Sequence, residues 1–503
     1  MKSKINTLAS AWLAACLLLS PAVVANDRLD VVAPFEIQSA EPSLSGHIFT
    51  RMGVAETLVD ADPEGNLIPG LATNWQVTDD GLTWRFTLRE NVLFHDQTPV
   101  TADSVANALN IALTKPGPLS QLPVTEIAAD QNAVVLTLRE PQAALPAYLA
   151  ESRAQILAPA AYDENGRASQ VIGTGPYRIT RLAPPLTLEA EAFDAYWGSP
   201  PHVPAVSYRA VGRAETRALM AEAGDAHLVF NLDPASVTRL NRTDTVNVLS
   251  VAIPRTLLLK VNADHPFLRE VEARQALAMA IDRAGIARGV LRYPEGASQL
   301  FPPAIGPWHN ESIPPLQHDP EAARQQLAAL GWTPGRNGIL ERQGERFALT
   351  LTTYPDRPEL PLVAATLEQQ LRAVGIDVTI NSTNASEIPA GHQNGSLDIG
   401  LLARNFALVP DPVGTVLSDY APTGDWGAMG WENDEVVRLA QQLARGEGDN
   451  AERARVTEIL QQELPVIPIA WYQQTLAVPV ELEGVVIDPW ERNFGLSNIR
   501  FAQ

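Results

Sequence analysis

The sequence predicts an α/β protein folded as two lobes, and three observations carry that reading. Apolar strand-length runs and amphipathic helical stretches follow one another along most of the chain. The run at 347–353, the helical pattern at 360–374 and the run at 376–380 form a βαβ succession, which requires a parallel sheet with a right-handed crossover. With 46% hydrophobic residues in 503, the chain is long and apolar enough to bury more than one core.

In the first half, 28–34 is a short apolar run suited to a buried strand. Phe49, Met52, Gly53 and Glu56 have helical spacing, so a helix is expected over 49–59. The acids of Asp60-Ala61-Asp62-Pro63-Glu64-Gly65-Asn66 superficially resemble a calcium loop. Its twelfth position is Leu71 instead of the bidentate Glu, so a hairpin turn is expected. Trp75 and Val77, then Leu82, Trp84, Phe86 and Leu88, alternate around Asp79-Asp80-Gly81 and predict a β-hairpin whose glycine takes positive φ. Thr101 is placed to cap a helix running to about residue 113, with Ser104 in its first turn. Strands follow near Ile127 and at 134–138.

Val171-Ile172-Gly173-Thr174-Gly175-Pro176-Tyr177-Arg178-Ile179 reads as a tight turn entering a strand. Strands are expected at 186–192 and 206–211, with a helix at 214–223 stopped by Gly224. Beyond Pro254 come a buried strand at 257–261, an amphipathic helix at 271–287 and a helix at 320–330, ahead of the βαβ unit.

Lys2 and Lys4, the apolar stretch 5–24 and Val23-Val24-Ala25 form an export signal, with cleavage expected after Ala25 and a periplasmic product. Leu13-Ala14-Ala15-Cys16 resembles a lipobox, which leaves a lipoprotein anchored at Cys16 as the alternative. Because Cys16 is the only cysteine, a chain starting at Asn26 can hold no disulfide. A formal charge of −21 argues against nucleic acid as a partner. No phosphate-cradling Gly-Lys-Ser/Thr loop, His-Glu-x-x-His or Gly-x-Ser-x-Gly occurs, and no two of the eight histidines have helical ligand spacing. The expectation is therefore no enzyme, no protein-built metal site and no cofactor, except a metal carried inside a bound solute.

Several segments occur together in the order seen in one family. Leu71-Ala72-Thr73-Asn74-Trp75 with Asp79-Asp80-Gly81-Leu82-Thr83-Trp84-Arg85-Phe86, then Phe94-His95-Asp96 and the Gly-Thr-Gly-Pro-Tyr-Arg-Ile run, occupy the first half. Arg274-Gln275-Ala276-Leu277, Ala280-Ile281-Asp282-Arg283, Asp319-Pro320-Glu321-Ala322-Ala323 and Leu371-Arg372-Ala373-Val374-Gly375-Ile376 follow. Nearly the whole mature chain thus resembles the extracytoplasmic solute-binding proteins of ABC importers, of the peptide/nickel class known as family 5. The resemblance implies a periplasmic-binding-protein-like fold of cluster C type, with an extra subdomain in lobe one. It divides the chain into a signal peptide (1–25), lobe one (26–254, subdomain about 41–168), lobe two (255–477) and a C-terminal return to lobe one (478–503). The two crossings are expected near Arg255 and Ala477. The implied role is capture of a small solute between the lobes, as a monomer, and delivery to permease subunits in the inner membrane.

For the ligand, the resemblance points to Arg153, which falls where nickel-chelate binders carry an arginine that clamps carboxylates, a task suited to a guanidinium fork. Peptide binders carry an acid before an aromatic-Pro-Asp-Pro run to hold the peptide's amino terminus. Leu408 stands there in Arg404-Asn405-Phe406-Ala407-Leu408-Val409-Pro410-Asp411-Pro412. A carboxylate-bearing metal chelate or amino-acid-derived solute is thus expected ahead of a di- or oligopeptide, and an exported peptide or amide hydrolase comes last. Asp411-Pro412 is expected to initiate a helix. Arg51 and Met52 lie in a segment that lines the cleft in relatives, Arg404 and Phe406 belong to the discriminating loop, and Tyr420, Trp426 and Trp431 in a glycine-rich stretch are expected as cleft wall.

Overall fold

A computed structural model describes residues 28–502, apart from 356, 358, 407 and 422–425. The export signal, its cleavage site and Cys16 lie outside the described residues. Among the described residues no helix is long and apolar enough to cross a membrane.

One ten-stranded sheet runs through the molecule. Its order is Asp377–Ser382, Ala348–Thr353, Ile399–Asn405, Val246–Val261, Val466–Pro479, Leu228–Phe230, Arg28–Ala33, Ala205–Ala210, Thr187–Ala192 and Tyr177–Ala183. The two long central strands are antiparallel and belong to both lobes. Their pairing breaks between Ala252 and Thr256, opposite Gln473 and Trp471, which puts Arg255 at an irregular point where the sheet passes from one lobe to the other. Ala477 already pairs with Val229 of the first lobe.

Apolar burial follows the same division. One core gathers Leu257, Phe301, Trp332, Leu351, Leu367 and Ile467 in the second lobe. Another collects Leu29, Val31, Phe49, Tyr177, Tyr208 and Phe494 in the first. A third, with Phe86, Phe94, Leu109 and Leu136, fills a separate unit in which four antiparallel strands pack on the Ala102–Leu113 helix. Burying one such leucine or phenylalanine contributes about 1.5–3 kcal/mol, so each body has ample means to stand without a disulfide.

Local chemistry explains where the elements begin and end. Gly81 turns the hairpin with φ 71°, and Thr101 caps its helix through a reciprocal exchange with Ser104. The βαβ unit forms as expected, with Ala348–Thr353 parallel to Asp377–Ser382 across the Glu359–Ala373 helix. Two helices depart from expectation. The one read at 49–59 is Pro42–Arg51: Pro42 opens it, and Gly53 with φ 65° follows its end, so Phe49 and Met52 mark its last turn. The one read at 271–287 stops at Ala280, because Asp282 caps a new short turn at Arg283–Gly285 that continues as a π-helix over Ile286–Leu291.

Candidate functional site

A cavity of about 290 Å³ opens between the lobes, lined by Leu44, His47, Arg51, Glu151 and Arg153 from the first lobe, by Arg255, Asn405 and Leu408 from the second, and by Trp490, Glu491 and Arg492 from the C-terminal tail. Three local structures place its charges.

Arg51 ends the Pro42–Arg51 helix, which is fixed from behind by the Gly-Thr-Gly-Pro run. The amide of Gly175 donates to Val54 O at 3.1 Å and that of Tyr177 to Gly53 O at 3.0 Å. A Cβ on Gly173 or Gly175 would collide with the carbonyls of Val54 and Gly53, so this approach needs glycine at both positions.

The tail is shaped by Asp488, whose carboxylate accepts from the amides of Trp490, Arg492 and Asn493. This turn holds Glu491 at φ 55°, a strained conformation for a residue with a Cβ. There Glu491 meets two arginines. Arg255 Nη2 lies 2.9 Å from its Oε2, and Arg51 donates through Nε to its backbone carbonyl at 2.6 Å, with Nη2 3.6 Å from Oε1. Burial alone would raise the Glu491 pKa, but Arg255, Arg51 and Arg357 together hold it below the usual carboxylate range.

Arg153 sits in the short turn Ser152–Ala154, its Nε 3.0 Å from Glu151 Oε1. Neither of its terminal nitrogens has a protein partner among the described residues. Arg255 Nε is likewise buried without a partner. Arg492 pairs with Asp60 at 2.5 Å and donates to Ala150 O. His47 is driven down to about 4, by burial first and then by Arg51 and Arg153, so near neutral pH it adds no charge to the cleft. The result is a partly desolvated pocket rich in guanidinium donors, suited to an anionic group.

The description "Bacterial extracellular solute-binding proteins, family 5 Middle" fits a family model that matches residues 66–427. The chain belongs to this family. Family 5 relatives include the nickel-binding periplasmic protein of Escherichia coli K12, 25% identical over 431 residues, covering 82% of this chain and 81% of that protein. The glutathione-binding protein GsiB of the same organism is 25% identical over 455 residues, 86% of each chain. In fold the chain is similar to NikA from Brucella suis in complex with Fe(III)-EDTA, with a TM-score of 0.85 at 22% identity over 94% of this chain and 99% of that one. It is also similar to the nickel ABC transporter protein from Bacillus halodurans, at TM-score 0.82, 24% identity and the same coverage. The α/β, two-lobed architecture expected of the family is therefore the architecture of this chain.

Of the eight residues singled out in the sequence, the structure brings Arg51 and Arg153 to the cavity and the other six elsewhere. Met52 is fully buried in the first-lobe core, because its helix turns that side inward. Arg404 points into the second lobe and forms a two-pronged pair with buried Asp419, at 2.6 and 2.8 Å. Phe406 is fully buried edge-to-face with Phe301 at 5.0 Å. Tyr420 is buried against Trp431 at 6.2 Å, Trp431 donates to Glu463 at 2.6 Å, and Trp426 packs on the same core. Tyr420, Trp426 and Trp431 thus pack on the second-lobe core and do not line this cavity. Asp411 accepts from the amide of Val413 at 2.9 Å and starts the Val413–Tyr420 helix, as expected.

Sequence reasoning missed His47, Arg255, Trp490, Glu491 and Arg492. Only Asp488-Pro489 hinted at a shaped turn in the tail, and nothing local tied that turn to Arg51 or Arg255.

Proposed function

We propose that this family 5 solute-binding protein is the extracytoplasmic receptor of an ABC importer, that it works in the periplasm, and that it takes a carboxylate-bearing solute such as a metal chelate or amino-acid-derived compound. The observation that carries the ligand class is the pair Arg153 and Arg255. Both line one cavity, Arg153 from the first lobe and Arg255 from the crossing strand, and among the described residues the terminal nitrogens of Arg153 and the Nε of Arg255 have no protein acceptor. A carboxylate held at this pair would add charge-assisted hydrogen bonds beside the lobe crossing, where hinge closure acts. Leu44 and Leu408, 48% and 44% exposed, lie on opposite sides of the same opening and would bury apolar area on closure.

Leu408 also supports this reading over a peptide, since it offers no carboxylate to a peptide's ammonium, whose unpaired desolvation costs several kcal/mol. Among the described residues His47 is the one imidazole lining the cavity, which favours a metal carried inside its chelator over one held by the protein. The closed receptor would then dock on permease subunits of the inner membrane.

The test is native mass spectrometry of the solute that co-purifies, followed by calorimetry with that solute. Arg153→Ala should weaken binding by about 2–5 kcal/mol, and Arg153→Lys should recover only part, because an ammonium lacks the fork. Tight binding of ordinary di- to pentapeptides, untouched by Arg153→Ala, would replace this proposal with a peptide receptor.

A further inference from the structure

We propose that the solute spans two chambers of the cleft, with its carboxylate in the cavity of Arg153 and Arg255 and an uncharged amide in a second cavity beyond Tyr472. The inference rests on the carboxylate reading above and adds the chemistry of the solute's other end. The second cavity, of about 530 Å³, is lined by Phe35 and Asn231 from the first lobe, by Tyr472 from a crossing strand, and by Tyr293, Arg357 and Glu359 from the second lobe. It lies at the carboxyl ends of the Arg28–Ala33, Leu228–Phe230 and Ala348–Thr353 strands, the position at which open α/β sheets take ligands.

Two contacts between a cation and a ring mark where the cavities abut. Arg51 of the first cavity lies over Phe35 of the second, 5.4 Å from the ring centroid, and Arg255 lies over Tyr472 at 5.3 Å. The chambers are thus separated by the thickness of a side chain.

Two acceptors on residues lining the second chamber have no partner. Glu359 is 6% exposed and its Oε1 is buried without a hydrogen-bond donor, and Asn231 Oδ1 on the opposite lobe is in the same state. Buried polar atoms are normally paired, so these two call for a ligand that brings N–H groups. The position of Asn231 is fixed: its backbone is held at φ 57°, its amide donates to Thr475 O, and its side-chain nitrogen lies 3.4 Å from Gln474 Oε1.

The other charged groups lining the chamber are Arg217, Asp233, Arg292 and Arg357. Arg217 is spent on the carbonyls of Val211, Gly212, Phe230 and Asn231, and Asp233 caps the Pro234–Leu240 helix. Arg292 is exposed and donates to Arg288 O. Arg357 lies over the Tyr472 ring with Glu359 close by. Unpaired acceptors beside a guanidinium form a set that an amide matches, since it donates through N–H and accepts through its carbonyl. An ammonium only donates, and a carboxylate only accepts. Tyr293 and Tyr472 supply flat surface for such a planar group.

The monoamides of the dicarboxylic acids from glutaric to suberic provide the probe, with the dicarboxylates, ω-amino acids and alkanoates of the same lengths as comparators. Calorimetry on the wild type should find a length at which the monoamide binds about tenfold tighter than the alkanoate, and tighter than the other two. Glu359→Leu should cut that amide-to-alkanoate ratio about tenfold. Asn231→Gly, which keeps the positive φ, should cut it about threefold and carries the test if Glu359→Leu fails to fold. Arg153→Ala should weaken monoamide and alkanoate alike and leave their ratio unchanged. A monoamide no tighter than the alkanoate at any length, or weaker than the amino acid or the dicarboxylate, overturns the proposal. So does a ratio that ignores both variants, or no binding by any probe. If Arg153→Ala weakens the alkanoates while no amide preference exists, this inference alone fails. If Arg153→Ala is without effect, the carboxylate reading falls with it.

Discussion

Arg255 Nη2 and Glu491 Oε2 lie 2.9 Å apart although 236 residues separate them in the chain, and both side chains are about nine-tenths buried. The contact ties the break in the lobe-crossing strand to the C-terminal tail, and through Arg51 to the first lobe. A charge pair this deep is retained only if its partners stay in place, since either charge left alone lacks hydration.

Arg255→Ala should therefore lower the unfolding free energy by about 3–5 kcal/mol. A double replacement of Arg255 and Glu491 by leucine should lose less than the single, because no uncompensated charge remains. Urea denaturation of the three proteins measures this, and a double variant less stable than the single would contradict it.

Glu56 gives a pH dependence of defined sign. Burial raises its pKa to about 7, against the opposing hydrogen bonds from Trp197, Thr174 and Tyr196. The unfolded chain loses this proton near the ordinary value of 4.5, while the native state keeps it up to about 7. Stability should fall as pH rises across that window, by about 3 kcal/mol in all, and level off above it. Glu56→Gln should remove that component from the pH profile of the denaturation midpoint.

Leu408→Asp would place a carboxylate on the cavity lining, at the position the family resemblance matches to the acid of peptide binders. The variant should weaken an anionic solute by about 2 kcal/mol through like-charge repulsion, and should gain affinity for a dipeptide with a free amino terminus. Competition calorimetry with both ligands reads the exchange. Unchanged affinity for each would place Leu408 outside the binding surface.

Closure should be visible in both thermodynamics and shape. Solute at a hundredfold excess over its dissociation constant should add about 2.7 kcal/mol of stability, and small-angle scattering should show a smaller radius of gyration. A melting shift with no change in radius would mean that the lobes bind without hinging.

The elements most legible in the sequence were those decided within a few residues. The hairpin at Gly81, the Thr101–Ser104 cap and the βαβ unit each depend on turn chemistry, capping or hydrophobic period, and all three formed as expected. The Pro42–Arg51 helix was misplaced because Phe49, Met52 and Gly53 fit a helical period whether they begin a helix or end one. Only Pro42 at its first position and positive φ at Gly53 separate the two.

At the site the division is sharper. The sequence by itself, through its resemblance to family 5, determined the two-lobed family 5 assignment and put Arg51 and Arg153 forward as cleft residues. The tertiary structure decided that Met52, Arg404, Phe406 and the Tyr420–Trp431 pair turn inward, because apolar rings and a buried Arg404–Asp419 pair gain more from a packed core than from an open wall. It also decided that Glu491 reaches Arg51 across 440 positions. Periodicity and capping act over a few residues, whereas a charge finds its partner through whatever surface folding brings beside it, and no local pattern encodes that distance.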